Sequence, residues 1–109
     1  VLFRSQKQSL NLQYLSSGCV GLGMLENIPQ IFIGSVHIEP GDKLLCYTDG
    51  LTESENAQKK AFGTVPLEGA ITVDGSIDDV VFYLRSELNK YIGTTPLTDD
   101  VSIMGIDFK

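Results

Sequence analysis

Acidic side chains at two places along the chain have the type and position needed for chemistry. Asp49 follows an apolar run of strand length at residues 44–47 and precedes Gly50, so an acid lies at the open end of a buried strand. A carboxylate at such an edge is costly to bury alone, and either a hydrogen-bonded turn or a bound cation offsets that cost. Asp99 and Asp100 lie before a second apolar segment near the C-terminus. Because hard divalent cations prefer carboxylate oxygens, a metal site is one interpretation of these acids.

Strand geometry distinguishes the two neighbouring acids. Side chains alternate along a strand, so a strand over residues 99–108 places Asp99, Val101 and Ile103 on one face and Asp100 on the other. If the first face is the interior, Asp99 lies at the mouth of the core, as Asp49 does, and the two acids make half a metal site. The alternative is that Asp99 and Asp100 only cap a loop before the strand. Spacing alone leaves the two interpretations equally open.

A glycine-rich segment follows the first predicted strands. Gly18, Gly21 and Gly23 fall within six residues, and such a turn can cradle a phosphate group. No lysine follows it and no clear helix begins there. A tight loop that needs positive φ is therefore the favoured interpretation.

Other polar residues have a structural explanation. His37, the only histidine, lies near Glu39 on a predicted strand, so we expect it to be solvated or to cap a turn. Ser76 and Asp79 have the spacing of a capping box. We therefore expect Asp78 and Asp79 to stabilise the start of a helix rather than to bind a metal.

Composition and charge limit the class of protein. The 109 residues are 42% apolar and 20% charged, which is typical of one soluble globular domain or part of one. A net charge of −6, with eight scattered basic residues, argues against a nucleic-acid partner. No apolar run approaches the length of a membrane span, and Cys19 and Cys46 show neither metal-ligand spacing nor a disulfide framework. A cytoplasmic protein with no membrane or nucleic-acid partner is expected.

The predicted elements must position the acidic residues. Alternating apolar residues at 10–14 predict a strand in a hairpin with residues 1–4. Residues 30–38 predict a further strand, which a turn at Pro40-Gly41-Asp42 joins to the strand ending at Asp49, in a second antiparallel hairpin. Three helices are expected, over residues 51–60, from Thr64 to the Asp74-Gly75 pair, and from Ser76 to Gly93.

The order of several short motifs resembles a known family. Residues 47–53 read Tyr-Thr-Asp-Gly-Leu-Thr-Glu, with Pro40-Gly41-Asp42 before them and Phe62-Gly63 after them, and Asp99-Asp100-Val101-Ser102 follows near the C-terminus. With the glycine loop at 18–25, this pattern resembles the C-terminal part of the bacterial PPM-type (protein phosphatase 2C-like) serine/threonine phosphatases. The branch is the SpoIIE-like one, which includes phosphatases of sigma-factor regulation. The resemblance implies an α+β fold, an antiparallel β-sandwich flanked by helices, with residues 1–109 as the C-terminal part of a single domain.

The resemblance also implies a role for each acid. Asp49 and Asp99 match two ligands of the family's dinuclear Mn²⁺ or Mg²⁺ centre. Asp100 and Gly50 are implied to support these ligands rather than to bind the cations, Asp100 by hydrogen bonding. In the family, a metal-bound water of lowered pKa attacks the phosphorus of a phosphoserine or phosphothreonine, and no covalent enzyme intermediate forms.

The implied partner is a phosphorylated protein substrate, with a phosphorylated anti-sigma-factor antagonist as the expected class. The family's first metal-binding motif and its N-terminal acidic motif have no counterpart in these residues, so the chain alone is expected to bind metal weakly and to have little activity. Missing strands should leave open edges and an uncovered apolar face, and self-association is therefore expected. The alternative is a non-catalytic, phosphatase-like protein-interaction module.

Overall fold

Strands and helices both contribute to the fold. The computed structural model of the chain describes residues 2–6, 11–18 and 21–109. The strands in this part are β1 (Leu2–Gln6), β2 (Asn11–Leu15), β3 (Lys43–Tyr47) and β4 (Ile103–Asp107). The helices are α1 (Asp49–Thr52), α2 (Val65–Ile71) and α3 (Ile77–Ile92). The predicted α+β class is confirmed.

The strands form one antiparallel sheet with the order β2-β1-β3-β4. The predicted N-terminal hairpin is confirmed as the β1–β2 pair, in which Phe3 lies opposite Tyr14. The principal extents of the chain are 42 × 39 × 18 Å, and 18 Å is the thickness of about one sheet and one layer of helices. The residues that the structure describes contain one sheet, so a sandwich of two packed sheets is not confirmed.

Residues 30–38 do not form the predicted strand. Strand β3 pairs with β1 on one edge and with β4 on the other, so the predicted hairpin partner has no free edge on β3. The turn before β3 is present as predicted: the N–H of Asp42 donates to the carbonyl of Glu39 (3.1 Å), and its carboxylate accepts the N–H of Glu39 (3.0 Å). The hairpin prediction was therefore wrong about pairing and right about the turn.

A helix was predicted over residues 51–60, but α1 ends at Thr52 and the polar residues after it are not helical. The Asn56 side-chain oxygen accepts the backbone N–H groups of Gln58 and Lys60, each at 3.0 Å. An asparagine side chain that satisfies nearby backbone groups in a turn competes with the helix. An isolated bridge between Glu55 and Ala61 then closes this loop.

Helices α2 and α3 pack on one face of the sheet. The predicted capping box is confirmed at the start of α3, where Ser76 and Asp79 each accept the backbone N–H of the other. The helix ends at Gly93, whose φ is +56°. The hydrophobic core between helices and sheet consists of Leu45, Tyr47, Leu51, Phe62, Leu67, Ala70, Ile71, Val80, Leu84 and Leu88.

Asp107 joins the start of α3 to the sheet. Its carboxylate accepts hydrogen bonds from the Lys43 ammonium (2.9 Å) and from the backbone N–H of Ile77 (3.0 Å). The bond from Lys43, and then the one from Ile77, hold the pKa of Asp107 below its usual 3.8 against the opposing effect of burial. Gly105 permits the close approach of the helix, since a Cβ there would overlap the Ile77 side chain. Strand β4 is thus fixed against α3.

Among the described residues, no helix combines the length and the apolar character that crossing a bilayer requires.

Candidate metal centre

The junction of β3 and α1 positions Asp49. Thr48 is the N-cap residue, with an extended backbone (φ −89°, ψ 159°), and Asp49 is the first residue of α1. Gly50 and Leu51 are buried and fix this turn to the core. Asp49 itself is exposed. Its carboxylate therefore lies at the protein surface directly after the central strand, where the sequence predicted it.

Thr48 ties the C-terminal acidic loop to this turn. Its backbone N–H donates to the carbonyl of Ser102 (3.1 Å). Its hydroxyl accepts the N–H of Ser102 (3.0 Å) and donates to the carbonyl of Asp100 (3.3 Å). A hydroxyl group can donate and accept at once. Three hydrogen bonds from one residue hold residues 100–102 against the start of α1.

Gly50 allows the two acidic segments to come into backbone contact. A Cβ on Gly50 would overlap the carbonyl of Asp100 and would approach the carbonyl carbon of Asp99 to 3.6 Å. Only a glycine leaves room for the loop in this packing. The Ser54 hydroxyl donates to the Gly50 carbonyl. The backbone of the Asp99–Asp100 loop thus lies directly on the turn that carries Asp49.

Asp99 and Asp100 precede β4 instead of opening it, because the strand begins at Ile103. They lie in an exposed loop and line a shallow depression at residues 97–102. The strand predicted over residues 99–108 was therefore wrong at its start, and strand alternation does not orient Asp99. One carboxylate oxygen of Asp99 accepts the N–H of Asp100 (2.8 Å). This local bond is what the loop-cap interpretation predicts. The second carboxylate oxygen of Asp99 takes no part in it.

The donors suit Mn²⁺ or Mg²⁺ in kind, since Asp49 and Asp99 both carry hard oxygen ligands. Two carboxylates are few for the dinuclear centre that the resemblance implies. Over residues 2–6, 11–18 and 21–109, no group of three or more His, Cys, Asp or Glu side chains could hold a metal ion. The ligand roles of Asp49 and Asp99, and the supporting roles of Gly50 and Asp100, stay predictions.

The other polar candidates are explained by local structure. His37 is exposed and lies 3.6 Å from the Glu39 carboxylate, which confirms that it is solvated. Asp79 is used in the capping box. Gly23 has a φ of +83°, as the tight-loop interpretation predicts, while Cys19 lies outside the described residues.

Cys46 is not prepared to act as a nucleophile. Burial raises the pKa of its thiol, and the thiolate is the reactive form of cysteine. The adjacent Tyr47 phenol also has a raised pKa, mainly because it is buried and then because of the nearby Asp49 carboxylate. Both shifts favour the neutral forms of the Cys46 thiol and the Tyr47 phenol.

Thr48 was not among the residues predicted from the sequence to contribute to the site. Threonine is favoured at N-cap positions, and this preference could have drawn attention to it. Its side chain makes no capping bond within α1 and bonds instead to residues more than 50 positions away. No local sequence pattern contains such a contact.

Most of this chain is similar to part of a known protein. Protein IcfG of Synechocystis sp. is 29% identical over 93 residues, which are 84% of this chain and 14% of that protein. The chain therefore spans about one seventh of the curated relative that it matches. No solved structure matches it. The family model described as Stage II sporulation protein E (SpoIIE) matches residues 1–109, and on that match the chain belongs to the SpoIIE family of PPM-type phosphatase-related domains.

Proposed function

We propose that the protein containing this chain is a metal-dependent protein serine/threonine phosphatase. The observation that carries the proposal is the contact between the two acidic segments, in which Thr48 and Gly50 hold the loop of Asp99 and Asp100 on the turn of Asp49. Residues 50 positions apart in sequence are thereby brought to one place on the surface. Membership in the SpoIIE family supports the same conclusion.

Each residue of the site has a proposed task. Asp49 and Asp99 would hold the cations through their exposed carboxylates, while Gly50 and Asp100 would keep the loop seated on α1. Bound Mn²⁺ or Mg²⁺ supplies a water of lowered pKa and positive charge that offsets charge on the phosphoryl oxygens. No nucleophilic side chain is needed, which agrees with the raised pKa of the Cys46 thiol.

The remaining ligands would come from residues outside these 109. We also propose that a second sheet covers the face of the present sheet opposite to the helices, which gives the sandwich. Leu45 and Tyr47 point to the helices, so alternation places Leu44 on the opposite face. Met104 and Ile106 of β4 lie on this face because they pair with Cys46 and Leu44. Exposed or half-buried apolar residues on an open sheet face are what a second sheet would cover.

The proposed substrate is a phosphoserine or phosphothreonine protein in bacterial signalling. A phosphorylated anti-sigma-factor antagonist in the cytoplasm is the class that we propose first. Bound cations would offset the repulsion between a phosphorylated protein and a chain with a net charge of −6.

Phosphate release from a phosphoserine protein tests the proposal. The complete gene product that carries this chain should release phosphate only with Mn²⁺ or Mg²⁺ present and should lose this activity with EDTA. Asp49→Asn should reduce the rate at least about 100-fold, because one hard ligand is replaced by a neutral one. Asp78→Asn, at an exposed acid in the first turn of α3, is the matched control and should retain the wild-type rate.

A non-catalytic interaction module is the second candidate. The finding that favours it is the lack, in the described part of the chain, of a three-ligand group. Folded complete protein that releases no phosphate with either cation would support this candidate and contradict the phosphatase.

A further inference from the structure

A groove lies beside the shallow depression at residues 97–102, where α3 passes the segment that leads into β4. Its apolar walls and its polar residues come from both sides. The apolar residues are Val81, Leu88, Val101 and Ile103, and the polar ones on α3 are Arg85 and Asn89. The groove therefore combines an apolar surface with one cation.

This groove is continuous with the depression at the candidate metal centre. Val101 and Ser102 line both of them. Ser102 is the residue whose backbone Thr48 holds against the start of α1. A chain bound at the acidic loop and extended across Ser102 would enter the groove that Arg85 lines.

The charge of Arg85 is not neutralised by the rest of the described chain. Within that part, its guanidinium makes neither an ion pair nor a side-chain hydrogen bond, whereas Lys43 pairs with Asp107 and Lys90 with Glu87. The chain as a whole carries a charge of −6. A guanidinium without an internal partner, next to a groove on an acidic protein, is complementary to a carboxylate from another molecule.

We propose that this groove binds the segment of the phosphorylated protein substrate next to the phosphorylated residue, and that Arg85 selects an acidic side chain in that segment. The inference rests on the proposed function, which puts the phosphoryl group at the acidic loop. The proposal places the acidic side chain within about three residues of the phosphorylated one, a span of about 10 Å in an extended peptide that advances about 3.3 Å per residue. The apolar walls contact the neighbouring side chains.

Two phosphoserine peptides test this inference with the complete gene product. One carries glutamate at all positions within three residues of the phosphoserine, and the other carries glutamine there. The dissociation constant of each fluorescent peptide is measured by anisotropy with EDTA in place of Mn²⁺, so that the phosphoserine is not hydrolysed, and KM and kcat are measured in Mn²⁺ beside those of p-nitrophenyl phosphate. The variants are Arg85→Gln, Arg85→Lys and, as a charge-matched control on the same helix outside the groove, Lys90→Gln.

Arg85→Gln should weaken binding of the glutamate peptide and raise its KM about two- to five-fold, the range of a partly exposed ion pair. The glutamine peptide, the kcat values and the hydrolysis of p-nitrophenyl phosphate should not change. Arg85→Lys should restore part of the affinity, because it keeps the charge without the planar fork. Lys90→Gln should match the wild type.

Equal effects of Arg85→Gln and Lys90→Gln would overturn the inference, because they would show a general charge effect. An equal loss of activity of Arg85→Gln on p-nitrophenyl phosphate, which has no flanking residues, would also overturn it. Equal binding of the two peptides by the wild type would do the same. Failure of the proposed function has a different readout, the lack of metal-dependent p-nitrophenyl phosphate hydrolysis by the wild type. In that case the dissociation constants of the two peptides still show whether Arg85 in the groove selects an acidic side chain.

Discussion

Gly50 and Thr48 assemble the candidate site without being proposed ligands. Gly50 leaves space for the carbonyl of Asp100, and Thr48 bonds to the backbone on both sides of Val101. Both residues flank Asp49, so one short turn carries a ligand and the contacts that bring up the second acidic loop. Substitutions at Thr48 and Gly50 remove these contacts and leave the carboxylates intact. They therefore distinguish the positioning of the acidic loop from the binding of the cation.

Gly50→Ala should destabilise the fold. The new Cβ would meet backbone atoms of Asp100, which cannot rotate away, and overpacking of this kind costs about 1–3 kcal/mol. Gly69→Ala is the matched control, because its Cβ would meet nothing within 4 Å in α2. That change should stabilise by about 0.5–1 kcal/mol through helix propensity. Urea unfolding measures both, and equal stability of the two variants would contradict the packing described for Gly50.

Thr48→Val should loosen the acidic loop. It keeps the shape of the side chain and removes both hydroxyl bonds to residues 100–102, so the free energy of unfolding should fall by about 0.5–1.5 kcal/mol. The amide of Ser102 should exchange faster with solvent deuterium, and Mn²⁺ affinity should fall. Thr48→Ser keeps the hydroxyl and should behave like the wild type. Unchanged exchange at Ser102 in Thr48→Val would show that the hydroxyl does not hold the loop.

Elements with complete local signals were predicted from sequence, and elements that depend on distant neighbours were not. Helix α3 has its cap, its apolar stripe and its terminal Gly93 within one segment. Residues 30–38 alternate like a strand, but alternation does not reveal that β1 and β4 occupy both edges of β3. In the site, the position of Asp49 directly after the strand could be predicted from the neighbouring residues alone. The placement of Asp99 depends on the distant Thr48, which no local pattern encodes.

The link between α3 and the sheet should depend on pH through Asp107. Its pKa is lower in the folded than in the unfolded state, mainly because of Lys43. The folded state therefore binds fewer protons, so this contribution is complete above the unfolded pKa and is lost as pH falls through the folded pKa. At pH 7, Asp107→Asn should lower the free energy of unfolding by about 1.5–3 kcal/mol, the value of hydrogen bonds to a charged group.

Urea unfolding of wild type and Asp107→Asn from about pH 7 to about pH 2 checks this dependence. The difference between the two proteins should shrink below the usual carboxyl pKa of 3.8. Glu87→Gln is a control, since its ion pair with Lys90 is exposed and should be worth less than about 1 kcal/mol. A wild-type advantage that stays constant down to pH 2 would contradict the account of Asp107.

At the level of the whole molecule, the helices cover one face of the sheet and leave apolar residues on the other. Met104 is 56% exposed on that face. Leu22 and Ile33, which lie between β2 and β3 in the sequence, are 86% and 91% exposed. Exposed apolar surface of this kind favours association. The proposed second sheet, or another copy of the chain, would remove it from water.

The 109-residue chain should therefore self-associate in solution. Sedimentation velocity should show species larger than a monomer at micromolar concentration, and Met104→Lys should shift them toward the monomer. Phe82→Lys, at a 73% exposed apolar residue on the outer surface of α3, is the control and should change the distribution less. A wild-type chain that sediments as a monomer would contradict an open apolar face.

Anomalous diffraction from crystals of the complete gene product grown with Mn²⁺ would show whether Asp49 and Asp99 hold a common cation cluster. We predict manganese peaks within about 2.0–2.3 Å of carboxylate oxygens from both Asp49 and Asp99, in one cluster beside the Thr48 turn. Manganese bound elsewhere, or the two carboxylates holding no common cluster, would contradict it.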